Sequence, residues 1–318
     1  MSVWLLTDGA MDRHVAPGHP ERPDRRAAAA AGVRDAAQDM LVEPAVQAID
    51  DDTLGAVHDP AYLEMLDAAE ARGGGWLDPD TYVATGSLQA ARLAAGATLQ
   101  AAIAVASGEA VVAYAAVRPP GHHASFDRGS GFCLLNNVAI AAAGLRTRGL
   151  ARRIAIVDWD VHHGDGTQAI FASDPEVCYA STHESPFYPG TGERAESGIG
   201  DAAGTKHNRP LAAGTGDTAF IGAWEGDLLP AIEAFRPDAI VVSAGYDAHA
   251  ADPLAHLEVT DAGFERVASL LGELSARLGL AGVALALEGG YDLDALRAST
   301  SATVRGILAG RRAATATV

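Results

Sequence analysis

Short, uninterrupted runs of apolar and β-branched residues punctuate the chain at Val111–Val117, Ile154–Val157, Val177–Ala180, Ala239–Ser243 and Val283–Leu287. Between them lie Ala- and Leu-rich stretches with a helical repeat, at Gly86–Ala106, Asn136–Arg148, Thr218–Phe235, Thr260–Leu278 and Leu293–Ala309. A strand that is apolar throughout is buried on both faces, so strands of this kind alternating with helices predict an α/β fold with a parallel sheet covered on both sides. Asp217 or Thr218 and Thr260 stand where helix caps are expected. Arg13–Arg26, full of Pro and His, and His183–Gly216 are expected to be loops, and loops this long are usually functional or mobile. No internal repeat, low-complexity linker or shift of composition divides the sequence, so a single domain over 1–318 is expected.

Composition narrows the function classes. A chain of 318 residues with 48% hydrophobic and 20% charged residues can bury a large core and is not disordered. No uninterrupted apolar run reaches the roughly 18 residues needed to cross a bilayer, and the first ten residues lack a basic start and a long apolar stretch. A membrane partner is therefore not expected. The two cysteines, Cys133 and Cys178, cannot make a disulfide framework, and a cytoplasmic location is the default expectation. The formal charge of −18 disfavours nucleic acid as a partner, which would require a basic patch.

In open α/β sheets ligands sit beyond the carboxyl ends of strands, and here the strand ends carry the chemistry. Ile154–Val157 runs into Asp158-Trp159-Asp160-Val161-His162-His163-Gly164-Asp165. On an extended chain Asp158, Asp160 and His162 point the same way, which packing does not explain but a metal does. Ala239–Ser243 leads to Asp247, an oxygen ligand that with Asp160 and His162 would complete a three-ligand catalytic site with an open position. Asp252, before a proline, reads as a turn residue, and His249 as a loop histidine. Val111–Val117 ends in Arg118-Pro119-Pro120-Gly121, a sharp stop that presents His122 and His123. Each imidazole needs a partner to fix its tautomer, and Asp158 and Asp165 are the available carboxylates. Val283–Leu287 ends in Glu288-Gly289-Gly290-Tyr291, where the paired glycines let the backbone aim the phenol. A divalent ion, a base, an acid and an oxyanion donor together describe metal-assisted amide hydrolysis.

The stretches RPPGHHA, GFCLLNNVAIAA, IAIVDWDVHHGDGTQAIF, STHESPFYPGTG, VVSAGYDAHAADPL and LEGGYDLDAL resemble the metal-dependent histone deacetylase superfamily. The resemblance is nearest to class II deacetylases and their bacterial relatives, among them acetylpolyamine amidohydrolases and acetoin-utilisation proteins. It spans the chain from GHPERPDR to LEGGYDLDAL. It implies the arginase-like fold, a parallel sheet of about eight strands flanked by helices. It also implies zinc on Asp160, His162 and Asp247, although an Asp-His-Asp site suits Fe²⁺ or Co²⁺ as well. His123 is then the general base and acid, backed by Asp165, with His122 an electrostatic partner backed by Asp158. Tyr291 polarises the substrate carbonyl. A structural potassium ion would use Asp158, Asp160, His162 and Ser181, partly through backbone carbonyls. Phe132 and Tyr188 would wall the substrate tunnel, with Gly131 and Leu254 beside them.

The resemblance implies an acetylated lysine peptide or protein, or an acetylated small amine, as substrate. Glu288 before Gly289 favours the class II side. Leu254 stands where polyamine-specific relatives can carry an acidic gatekeeper, which favours acyl-lysine. A binuclear manganese ureohydrolase on the same fold would need further Asp ligands that the chain lacks. A non-catalytic acyl-lysine binding module would be expected to have lost one of the ligands, histidines or Tyr291, and all are present. The sequence leaves the oligomeric state open.

Overall fold

The computed structural model describes residues 2–316, so Met1 and residues 317–318 of the expected domain lie outside the described residues. The strands are β1 (Val3–Leu6), β2 (Leu41–Val42), β3 (Gly75–Trp76), β4 (Tyr82–Val83), β5 (Val112–Ala115), β6 (Ile154–Asp158), β7 (Val177–Glu184), β8 (Lys206–Leu211), β9 (Ala239–Ala244) and β10 (Val283–Leu287). β3 and β4 form a separate antiparallel hairpin. The other strands build one eight-stranded sheet in the order β2-β1-β5-β10-β9-β6-β7-β8, parallel throughout. This is the α/β architecture that the alternation and the resemblance predicted.

Side chains alternate between two cores, one on each face of the sheet. Ala113, Ala115, Ala284, Ala286, Ile154 and Ile156 enter the core under helices Ser87–Ala106 and Asn137–Thr147. Val112, Tyr114, Ala155, Val157, Val283 and Leu285 enter the other, under Pro23–Ala37, Asp261–Arg277 and Leu293–Ala316. The small residues of β5 and β10 let the alanine-rich helix Ser87–Ala106 lie close on the sheet. That helix is long and apolar enough to cross a membrane by length and composition, although polar residues interrupt it, and it is mostly buried in this core.

The structure corrects three local expectations. Pro23 to Arg26 are not loop: Pro23 opens the helix Pro23–Ala37, where its missing N–H costs nothing. The stretch after His183 contains β8, which pairs with β7 from Tyr179↔Lys206 to Glu184↔Leu211. Its sequence, KHNRPL, shows no strand pattern because it is the sheet edge, where polar residues and Pro210 are tolerated. Finally, Gly216 rather than Asp217 or Thr218 stands at the cap of the helix Asp217–Ala223, and Thr260 takes the expected cap position of Asp261–Arg277 without a side-chain bond to its own helix. The Thr260 N–H and hydroxyl both donate to the Asp217 carboxylate, at 2.8 and 2.7 Å, bracing one helix start against the other.

Candidate active site

β5, β10, β9, β6 and β7 are consecutive in the sheet and all parallel, so every polar cluster read at a strand end emerges at the same edge. Asp158 closes β6, opposite Ser181 of β7 and Ser243 of β9. Beyond it the chain is no longer extended as expected. Instead it bends, with the Asp160 N–H donating to Asp158 Oδ1 (3.2 Å) and the His162 N–H to Asp160 Oδ1 (2.9 Å). The alternation survives these bends: Trp159 and Val161 are buried in the apolar core, leaving Asp158, Asp160 and His162 to the other side.

Asp160, His162 and Asp247 each offer one ligand atom, all within 4.8 Å of one another. His162 Nδ1 lies 3.1 Å from Asp160 Oδ1 and 3.2 Å from Asp247 Oδ2, near the roughly 3.3 Å that separates tetrahedral ligands about 2 Å from an ion. Asp247 Oδ2 is buried and has no hydrogen-bond donor, although the His162 ring nitrogen is close. The His162 nitrogen is within ion-pair distance of this oxygen, the separation expected of two ligands on one ion. Burial opposes a charged His162 ring, but the flanking carboxylates outweigh it and push its pKa up to about 10; positive charge is what this cluster demands. The donor set and its spacing fit a divalent ion. Gly245 and Gly289 make room for it: a Cβ on Gly245 would stand 2.0 Å from Asp160 Oδ2, and one on Gly289 2.0 Å from Asp247 Oδ2.

The two histidines sit against this cluster with the partners that were anticipated. His122 Nδ1 is 3.1 Å from Asp158 Oδ2, and His123 Nδ1 is 2.7 Å from Asp165 Oδ1. Tyr179 also donates to Asp158 Oδ2 (2.9 Å). Burial disfavours the charged form of both rings. For His122 the carboxylates of Asp160, Asp158 and Glu288 overcome it and raise the pKa well above the ordinary value. For His123 burial wins, reinforced by the neighbouring His122, and the pKa falls to about 4. Their environments thus push the two rings in opposite directions, as in pairs that divide acid and base roles.

A cavity of about 220 Å³ opens onto these groups and is lined by Gly131, Phe132, Tyr188, Leu254 and Tyr291 as well as both histidines. All the expected tunnel residues are therefore brought together. Phe132 holds a positive φ of 70°, rare for a bulky residue and often a mark of a functional constraint; its N–H donates to Thr81 Oγ1 at 3.0 Å. Gly131 has φ +54°, and a Cβ there would meet the His123 ring at 2.3 Å. The Tyr291 ring packs edge-on against Phe132 and under the Arg25 guanidinium, 4.7 Å from its centroid. Ser181 neighbours Asp158 across β6 and β7, but its hydroxyl is engaged by His183 Nδ1 at 2.9 Å.

Several contacts at the site are not visible in the sequence. Asp80, from the β3–β4 hairpin, and Pro120 also line the cavity. Glu288 lies beneath it: Oε2 accepts the Gly121 and His122 N–H groups at 2.6 and 3.2 Å, tying the Gly-Gly-Tyr strand end to the His-His turn. Glu21 is wholly buried between Arg118 (2.9 and 2.6 Å) and Arg25 (3.2 Å). Arg25 in turn holds the Gly290 carbonyl at 2.6 Å and also donates to that of Glu288. The signal available was the density of charge in GHPERPDR, too high for a plain surface loop, but contacts so distant in sequence leave no local pattern.

Comparison with known proteins agrees with this geometry. The family profile described as histone deacetylase domain matches residues 19–307. The chain is 42% identical over 309 residues to a probable deacetylase of Methanothermobacter thermautotrophicus, covering 95% of this chain and 90% of that one. It is 38% identical over 293 residues to a histone deacetylase-like amidohydrolase of Pseudomonas aeruginosa, covering 91% and 77%. The crystal structure of the HDA15 HD domain superposes with a TM-score of 0.91 at 38% identity, over 97% of this chain and 90% of that one.

Proposed function

The chain belongs to the histone deacetylase family of amide hydrolases, and on that premise we propose that it removes acetyl or related acyl groups from lysine side chains, with zinc on Asp160, His162 and Asp247. The observation that carries this reading is the convergence of those three side chains, two of which line the same cavity as His122 and His123. A divalent ion bound there supplies Lewis acidity and lowers the pKa of a water molecule.

The residues then divide the work. Phe132, Tyr188, Gly131 and Leu254 grip the lysine methylenes and exclude water. His123 donates its Nδ1 proton to Asp165, which leaves Nε2 free to take a proton from the attacking water. As the C–O bond forms and the C–N bond breaks, His123 returns that proton to the departing amine. His122, held by Asp158, stays charged and offsets the negative charge that builds up during attack. The Tyr291 hydroxyl donates to the acyl oxygen as that oxygen becomes anionic. Asp158, Asp160, His162 and Ser181 would also hold a potassium ion that stiffens the strand ends.

A second substrate reading is an acetylated polyamine. Leu254 at the cavity disfavours it, since leucine offers no charge to a remote ammonium, although the Asp80 carboxylate also lines the cavity. The test is a panel of acetyl-lysine peptides and acetylated polyamines on one metal-defined preparation. Peptide turnover abolished by a chelator, restored by zinc and lowered on the order of 10²-fold by Tyr291→Phe supports the proposal. Faster turnover of polyamines, or undiminished activity in the tyrosine variant, counts against it.

A further inference from the structure

We propose that Asp252 is the positioning residue for Tyr291, an inference that rests on the role given to that tyrosine above. Asp252 reads in the sequence as a turn residue, and one of its oxygens acts as one: Oδ1 accepts the Leu254 N–H at 3.0 Å. Its other oxygen does something the local sequence does not announce. Oδ2 crosses to the end of β10 and accepts the Tyr291 N–H at 2.6 Å and the Asp292 N–H at 3.3 Å. The carboxylate is 8% exposed. A buried carboxylate is costly unless its lone pairs are met, and here backbone N–H groups meet them.

Tyr291 needs such an anchor. It follows Gly289 and Gly290, and Gly290 has φ +119°, so the segment leading to the phenol has the least backbone restraint of any sequence. The Arg25 bond to the Gly290 carbonyl fixes the chain before the tyrosine, and the Asp252 bond fixes the tyrosine's own N–H. The helix Leu293–Ala316 that follows does not need Asp252 as a cap, because Asp292 Oδ1 accepts the Ala295 N–H at 2.9 Å. The loop bearing Asp252 is itself braced, its N–H donating to the His249 carbonyl at 2.8 Å. Through Oδ2 this side chain thus sets the direction of the Tyr291 hydroxyl, while Oδ1 closes only its own turn.

The experiment is a double-mutant cycle on the metal-loaded enzyme with an acetyl-lysine peptide: wild type, Asp252→Asn, Tyr291→Phe and the double variant, each with bound metal and melting temperature measured. Asparagine keeps the size but replaces one accepting oxygen with an amide nitrogen that cannot accept. Asp252→Asn is expected to lower kcat on the order of 10-fold or more, somewhat less than outright loss of an oxyanion donor. KM and bound metal should hold within about 2-fold. In the Tyr291→Phe background it should lower kcat no further, because the group it aims is gone. If Asp252→Asn fails to fold, Asp252→Ser, smaller and still able to accept, is read in the same cycle. Wild-type kcat in Asp252→Asn, a loss that tracks lost metal, or a full multiplicative loss in the double variant overturns the proposal. Wild-type turnover in Tyr291→Phe alone would instead remove the tyrosine's role, so the two failures are told apart.

Discussion

Gly289→Ala is the sharpest test of the ligand cluster, because its effect can be worked out from distances. A methyl group at 289 would stand 2.0 Å from Asp247 Oδ2, 2.5 Å from its Cγ and 2.6 Å from Asp160 Oδ2. Ordinary contact between a methyl and an oxygen needs about 3.4 Å, so the Asp247 carboxylate must retreat by more than an ångström. It has little room, since Oδ1 is held by the Val161 N–H at 2.9 Å and the side chain is fully enclosed. A metal–oxygen bond of about 2 Å lengthened by an ångström is no longer a bond. Disturbing outer partners of ligands alone costs on the order of 10–100-fold in metal affinity, so losing a ligand should cost at least about 100-fold. Affinity is read by competition with a chelator of known strength, beside the melting temperature of the metal-free protein. Gly222→Ala is the control: its Cβ meets nothing within 4 Å, and in a helix it should stabilise by about 0.5–1 kcal/mol with unchanged affinity. Wild-type metal affinity in Gly289→Ala would refute the placement of the cluster.

Other outcomes follow from the same geometry. Asp165→Asn removes the acceptor that holds the His123 tautomer and should lower kcat by on the order of 10²–10⁴ with little change in KM, as stopped-assay kinetics will show. Glu21→Gln leaves two buried guanidiniums without their carboxylate and should destabilise by about 3–5 kcal/mol in urea titrations; a shift under about 1 kcal/mol would mean the network is dispensable. Acid should unfold the protein partly through His14 and His58, both buried and, chiefly by burial, lowered to about 4 from 6.5. The unfolded chain binds more protons between those values, so stability rises with pH across that window and is lost as pH falls from 6.5 to 4. Each contributes up to about 3 kcal/mol. His58 Nε2 accepts the Asn136 N–H at 2.9 Å and cannot take a proton without breaking that bond. His58→Gln should therefore flatten the acid limb by roughly that amount, and an unchanged limb would contradict the assignment.

The central strands could be read from sequence because they are buried on both sides and so advertise themselves as apolar runs. β1 is an apolar run of four residues like β5 but has no preceding helix to set up the alternation, and β8, at the polar edge, carries no apolar signal at all. The pairing of His122 with Asp158 and His123 with Asp165 was legible because few carboxylates stood near enough in the motifs. The ligand cluster was legible from side-chain alternation, even though bends rather than an extended strand deliver it. What stayed hidden were contacts set by tertiary packing alone. Glu21 clasps two arginines, Glu288 ties one strand end to another, and Asp252 looks like a turn residue until its second oxygen is followed across the sheet.

The order of strands in the sheet also bears on biogenesis. β5 and β6 leave the ribosome early, but β9 and β10, which lie between them, are among the last to be made. A nascent chain that has not yet delivered Asp247 and Gly289 therefore displays its imidazoles and carboxylates without a finished cradle. On the proposed reading, ion capture would be a closing event of synthesis, and arrested or truncated products ending before β9 should emerge empty of metal.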